Sequence, residues 1–312
     1  MKNMFKSILF FAFAMILLVG CSTEAPGASS ESSSDEGASD DGSVKVGLSI
    51  STLNNPFFVT LKEGAEEQAK AKGIEIVVVD AQNDSAKQVS DIEDLIQQGV
   101  DVLLVNPTDS AAVSAAIESA NSADVPVITL DRSAEGGEVV AHIASDNVAG
   151  GKMAGDFILE QLGSEGKVVE IEGIPGSSAA RERGEGFHQS VDAVDTIEVA
   201  AKQTADFDRA KGLTVMENIL QGNKDIQAVF AHNDEMALGA LQAIEAAGLS
   251  DIVVVGFDAT EDAVKAVEDG RLAATVAQKP AVIGQKGIDT AIQVASGETV
   301  EEFIPVELEL VK

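Results

Sequence analysis

The chain predicts an α/β protein built as two lobes, each a parallel sheet with helices on both faces. Three observations predict it. From residue 44 onward short apolar runs alternate with amphipathic helical stretches, which is how repeated βα units and a parallel sheet read in sequence. Near Gly150-Gly151 the pattern resets, and a second set of similar size follows. The residues just past the strand-like runs are also unusually rich in Asn, Asp, Arg and Phe, at the carboxyl edge where open α/β sheets bind ligands.

The amino-terminal residues stand apart from this pattern. Lys2 and Lys6 precede an unbroken apolar run of twelve residues, 8–19, long enough for a signal h-region and shorter than the roughly 20 residues a spanning helix needs. Residues 1–20 are therefore expected to be a signal peptide. The run ends Leu-Val-Gly before Cys21, the single Cys of the chain. This resembles the bacterial lipobox, so Cys21 is expected to be lipidated and to become the new amino terminus; the alternative is an ordinary signal peptide with an incidental Cys. A single thiol excludes an intramolecular disulfide and a Cys-cluster metal site. Residues 21–43 hold Ser, Gly, Ala, Asp and Glu with almost no large apolar side chain, and such a segment is expected to be a disordered tether.

The 312 residues are 45% hydrophobic, enough for one large or two ordinary cores, yet only 4% aromatic, with twelve Phe and no Trp or Tyr. Each Phe near a strand end is thus informative. Net charge is −31; without Lys2 and Lys6 the chain keeps 19 basic against 52 acidic residues, a balance of −33. That excludes nucleic acid as a partner, because phosphates require Lys and Arg.

Taken in order, strand-like runs fall at 44–50, 74–80, 102–105, 127–130 and 139–143. Between the first two, Asn55-Pro56 is a helix start, a capping side chain followed by the residue suited to the first turn. Val89, Ile92, Leu95 and Ile96 share one helical face, as do Ala112, Val113, Ala116, Ile117 and Ala120, with Ser85 and Asp109 as expected caps. In the second set a helix opens at Gly150-Gly151 and runs to Leu162. Runs at 168–171, 197–201, 228–231, 253–257 and 273–277 then alternate with helices over 179–191, around Met216, around Ala240, and over 260–270. A helix over 281–295 and a last run over 303–311 could return to either lobe.

The strand ends carry the chemistry. Asn55, Phe57 and Phe58 follow the first run, Asn106 the third, and Asp131-Arg132 the fourth. In the second set come Arg181, Phe207, Asn233, Asp258 beside Phe257, and Gln278. Carboxylates and amides accept from hydroxyls, Arg and amides donate, and an aromatic face covers the C–H side of a sugar ring. Asp131 and Asp258 balance Arg132 and Arg181, so the set asks for a neutral polyol. Each residue also has a local reading. Asn55 can cap its helix, Asn106 before Pro107 can be turn chemistry, Phe57 and Phe58 can pack the helix entry, and Asp109 and Asp234 are read as caps.

Catalytic signatures are missing. Residues 163–167 read Gly-Ser-Glu-Gly-Lys, but Gln161 stands where a phosphate loop needs Gly and Val168 where it needs Ser or Thr. There is no Gly-x-Ser-x-Gly elbow and no Gly-x-Gly-x-x-Gly after a strand. His142, His188 and His232 are isolated, so no zinc pair is formed; His232 is expected in a loop or at the surface, the alternative being that it reaches the site beside Asn233. No catalytic residue, metal or cofactor is expected.

Residues 51–59, 106–109, 128–132, 142–147, 179–187, 205–209, 233–241 and 253–258 resemble the bacterial ribose-binding proteins, type I periplasmic substrate-binding proteins of ABC importers. The similarity runs from Val44 to Val311. It implies two Rossmann-like lobes joined by a three-strand hinge, with 44–145 plus 279–307 in one lobe and 146–278 plus 308–312 in the other. The resemblance also implies that Phe58 and Phe207 sandwich the ring, with Phe57 and Phe257 at its edge. Asn55, Asn106, Asp131, Arg132, Arg181, Asn233, Asp258 and Gln278 would bond its hydroxyls. The implied protein is a monomeric lipoprotein on the outer face of the cytoplasmic membrane, of Gram-positive type, delivering D-ribose or a similar neutral monosaccharide to a permease. Allose, another pentose or a furanosyl signal molecule are the competing ligands. A sugar-sensing regulator of the lactose-repressor kind would need a basic DNA-binding helix pair that is not present.

Overall fold

A computed structural model describes residues 44–312; the leader, Cys21 and the tether lie outside the described residues. The chain begins β1 (Lys45–Ile50), α1 (Pro56–Lys72), β2 (Glu75–Asp80), α2 (Ser85–Gln97), β3 (Val102–Val105), α3 (Ser114–Ser122), β4 (Val127–Leu130) and β5 (Ala141–Ala144). It continues α4 (Asn147–Leu162), β6 (Gly166–Glu172), α5 (Ser178–Val191), β7 (Ile197–Thr204), α6 (Arg209–Gly222), β8 (Ala228–Ala231) and α7 (Asp234–Ala246). The last elements are β9 (Val253–Asp258), α8 (Glu261–Glu268), β10 (Ala274–Ala277), α9 (Pro280–Ala295), β11 (Phe303–Pro305) and β12 (Glu309–Val311).

These strands form two six-stranded sheets, ordered β11-β5-β4-β3-β1-β2 and β12-β10-β9-β8-β6-β7. Every pairing is parallel except β10 with β12. Both sheets therefore need apolar cover on both faces, and each has it. Leu48, Leu104 and Ile128 face α1 and α9 while Leu103, Val105 and Val127 face α2 and α3. Val169, Val229 and Val254 pack under α6 and α7, and Val168, Phe230 and Val255 under α4 and α5. The strand order reverses between β1 and β3 in one sheet and between β6 and β8 in the other, the switch points where α/β folds open a crevice. The chain passes between sheets after β5, after β10, and between β11 and β12. The run at 303–311 is thus two short strands, one given to each sheet.

Local chemistry sets the helix ends. Asn55 caps α1 ahead of Pro56, and Gly73 closes the helix at φ +72°, a left-handed position that favours Gly. Expected starts are displaced at α2 and α4, and α3 begins at Ser114, five residues past its expected cap Asp109. Asp84, not Ser85, caps α2, its carboxylate accepting from the Ala86 and Lys87 amides. α4 starts at Asn147 under an Asp146 cap, ahead of Gly150-Gly151. Those glycines serve close approach instead. A Cβ on Gly150 would meet the Phe257 ring, and one on Gly151 would overlap the Arg183 carbonyl oxygen. This contact seats α5 against α4. Gly151→Ala is expected to force the two helices apart and destabilise the fold by about 1–3 kcal/mol, read as a lower urea midpoint. An unchanged midpoint would show that the α4–α5 approach is not tight.

Candidate functional site

The carboxyl edges of the two sheets face each other across a cavity of at most about 220 Å³, lined by Asn55, Phe57, Phe58, Asp131, Arg132, Ala179, Arg183, Phe207, Asn233 and Asp258. From the first lobe, Phe57 and Phe58 in the opening turn of α1 are buried and stack edge to face, centroids 5.2 Å apart. The Asn55 side-chain Oδ1 accepts from the Phe57 amide at 2.9 Å, so the residue caps the helix and borders the cavity at once. Asp131 follows β4 in a left-handed conformation, φ +64°, which turns its carboxylate and the Arg132 guanidinium inward. Arg132 donates to the Pro107 carbonyl at 3.2 Å, and its guanidinium carbon lies 4.9 Å from the Phe58 centroid and 5.1 Å from that of Phe207.

The second lobe supplies Phe207, also left-handed at φ +60°, and Asp258, the last residue of β9. Asn233 caps α7, accepting from the Met236 amide at 3.0 Å. The expected cap Asp234 is instead buried, accepting from Thr275 at 2.7 Å and from the Thr260 amide at 2.7 Å. Arg183 projects from α5, donating to Asn147 Oδ1 at 2.9 Å and to the His232 carbonyl at 2.6 Å. Its Nη1 lies 3.6 Å from Asp258 Oδ1, and its guanidinium covers Phe257 at 3.8 Å.

Asn106, Phe257 and Gln278 stand behind this lining. The Asn106 amide accepts from Ser51 and donates to the Leu130 carbonyl at 3.0 Å, tying the ends of β1 and β4 beside Asp131. Phe257 is the plate under Arg183, and Gln278 donates to Asp258 at 2.9 Å.

Arg181, also expected at the site, neither lines the cavity nor stands behind its lining. Its side chain is 44% exposed and pairs with Glu135 at 2.9 Å. The buried residues of α5 include Ala180, Arg183, Phe187 and Val191, a helical i, i+3, i+7, i+11 face. Arg183 lies on that face and Arg181 does not, so the helical period separates the two arginines. His232 also differs from expectation. It is fully buried, its Nε2 2.9 Å from Glu170 Oε1, while Nδ1 accepts from the Gly173 amide at 3.4 Å.

Two acids and two bases thus share a buried space. Burial pushes the carboxyls of Asp131 and Asp258 up, and the Arg183 charge opposes that rise in both. Burial lowers Arg132 to about 10, against the opposing pull of Asp131, so it stays charged at neutral pH. Asp131 Oδ1, Arg132 Nε and Gln278 Oε1 are buried without a hydrogen-bond partner in the protein, an acceptor-donor set of the kind a hydroxylated ligand satisfies. Among the described residues no cluster of His, Cys, Asp or Glu could hold a metal ion, and no helix is long and apolar enough to cross a membrane.

Around the cavity the lobes also bond directly. The Ser110 amide donates to the Gly176 carbonyl at 2.9 Å, the Ser133 amide to Ser178 Oγ at 2.9 Å, and the Arg181–Glu135 pair closes the same rim.

Residues 46–299 match the family model described as periplasmic binding protein domain. The chain belongs to the periplasmic binding protein family. It is 54% identical to the ribose import binding protein of Bacillus subtilis, with 99% of each chain covered. It is 58% identical to the ribose import binding protein of Escherichia coli over 85% of this chain and 90% of that one. A solved ABC transporter solute-binding protein from Mycobacterium smegmatis with bound glycerol shares the fold at a TM-score of 0.84 and 37% identity. That match covers 86% of this chain and 94% of the other. This periplasmic binding protein has the two parallel-sheet lobes that its residues predict.

Glu170, inside β6 and fully buried, receives His232 on one oxygen, while the other lies 2.9 Å from His188 and 3.3 Å from Lys202. Burial lowers the His188 pKa, but Asp192 and Glu170 outweigh it and leave the group above the ordinary histidine value. The stability this contributes is complete below about pH 6.5 and fades as pH rises through the raised value. Replacing His188 by Gln should therefore lower the thermal midpoint more near about pH 5.5 than near about pH 9. Equal losses at both would show that the imidazolium charge is not what stabilises.

Proposed function

We propose that this chain is an extracellular substrate-binding lipoprotein that captures D-ribose between its lobes and hands it to an ABC permease. The observation that carries the reading is the charge-balanced cavity between the lobes, lined by Phe58, Phe207 and the four buried charges Asp131, Arg132, Arg183 and Asp258. The names of two relatives more than half identical over most of the chain support the choice of ribose. In this reading the ring lies between the two phenylalanines, each face covered by one lobe. Its hydroxyls take the unpartnered atoms of Asp131, Arg132 and Gln278, together with Asn55, Arg183, Asn233 and Asp258. Asn106 and Phe257 hold those groups in place.

The mechanism is hinge closure. A sugar touching both lobes gains its full interaction energy only when they meet, so binding shifts the population toward the closed form. The lobes comprise 44–145 with 279–307 and 146–278 with 308–312, hinged at the three inter-sheet passages. The closed pair then presents its joint surface to the permease. No bond in the sugar is made or broken, so sugar recovered after incubation is expected unchanged. Cys21 carries the lipid, residues 21–43 are the tether, and the protein acts as a monomer on the outer face of a Gram-positive membrane.

Arg183→Ala or Asp131→Ala leaves buried charges unpaired and is expected to weaken D-ribose binding by about 2 kcal/mol or more, roughly thirty-fold. Arg181→Ala removes a half-exposed rim ion pair and an exposed bond to the Gly176 carbonyl, and should cost under about 1 kcal/mol. Isothermal titration separates the two; equal, small effects at all three positions would remove the site from this cavity. A thermal-shift panel of ribose, allose, other pentoses and furanosides tests the ligand, and a larger shift with any sugar but ribose would reassign it.

A further inference from the structure

We propose that the buried Glu170–His232 pair is the positioning element for the second lobe's half of the sugar site. The inference rests on the reading of that cavity as the sugar site. The tautomer of His232 follows from its partners. A backbone amide can only donate, so the Gly173 N–H fixes Nδ1 as the acceptor, and Nε2 must carry the proton that reaches Glu170 Oε1 at 2.9 Å. Neutral His232 therefore bridges the ends of β6 and β8, adjacent strands whose carboxyl edge is the cavity wall.

Three lining groups take their places from this bridge. The His232 carbonyl accepts from Arg183 Nη1 at 2.6 Å. Asn233 is the next residue, and its amide reaches the Phe207 carbonyl at 3.4 Å. Gly173, held by the His232 ring, lies beneath Phe207, where any Cβ would overlap the phenyl ring. Glu170 anchors the imidazole from inside the sheet. On α5, Gly184 leaves room for the pair, since a Cβ there would come within 3.0 Å of Glu170 Oε1. A fully buried carboxylate in a strand interior is costly unless paired. The pairing found here is aimed at the backbone that carries the ring clamp and the guanidinium.

The chemistry required of residue 232 is one acceptor toward Gly173 and one donor toward Glu170. A Gln amide offers both and a Leu offers neither. Titration with D-ribose and thermal midpoints of the sugar-free proteins would compare wild type, His232→Gln, His232→Leu and Glu170→Gln, with His232→Leu also placed in the Arg183→Ala background. His232→Gln should bind within about three-fold of wild type, and His232→Leu should lose about thirty-fold or more. The loss should shrink once Arg183 is absent, because one of the three groups that the bridge positions is then already missing. If His232→Leu does not fold, Glu170→Gln carries the test with an expected loss of about five-fold or more. The proposal is overturned if Leu binds like wild type, if Gln loses as much as Leu, if the Leu loss persists undiminished without Arg183, or if Glu170→Gln binds unchanged. Wild-type protein that does not bind D-ribose would instead contradict the sugar reading and this inference with it. A ribose-binding wild type with insensitive variants contradicts the inference alone.

Discussion

Two carboxylates and two guanidiniums are buried between the lobes, and each is tolerable only because the others are there. Asp131, Arg132, Arg183 and Asp258 are all at least 94% buried. Removing any one leaves an uncompensated charge in a medium where that costs several kcal/mol. No lobe can hold this arrangement alone, since Asp131 and Arg132 follow β4 of one sheet while Arg183 and Asp258 belong to elements of the other. The contact between lobes is thus written into the electrostatics. The proposed preference for a neutral ligand rich in hydroxyls fits the same arrangement, because two carboxylates and two guanidiniums balance.

The folding of each lobe serves that quartet. Parallel sheets direct all their carboxyl edges one way, and left-handed backbone at Asp131, Phe207 and Asp258 turns the side chains into the gap. Such conformations are unfavourable for residues with a Cβ, and their concentration at one place marks where the chain is over-determined by its surroundings. The close approach of α4 and α5 at Gly151 and Gly186 brings Arg183 within reach of Asn147. The buried Glu170 then orders the backbone beneath Phe207 and Arg183 from behind.

Much of this was legible in the residues. The two-lobe fold follows from βα alternation and the reset near 150, and the strand-end positions of Asn55, Phe58, Asp131, Arg132, Phe207, Asn233 and Asp258 place them at the cavity. Three features were less legible. Arg181 is the arginine nearer the strand end, whereas Arg183 lines the cavity because it shares a buried helical face with Ala180 and Phe187. His232 lacks a nearby partner in sequence because Glu170 lies 62 positions earlier, and only the pairing of β6 with β8 brings them together. The glycines at 150 and 151 suggested a helix start, whereas their absent side chains make room for Phe257 and the Arg183 backbone.

The ring clamp is the central claim, and a crystal structure of the protein grown with D-ribose tests it most directly. The expected result is one sugar ring between Phe58 and Phe207, with hydroxyls on Asp131, Arg132, Arg183 and Asp258 and both lobes in contact. A ring bound to one lobe only, or seated outside the two phenylalanines, would contradict the account.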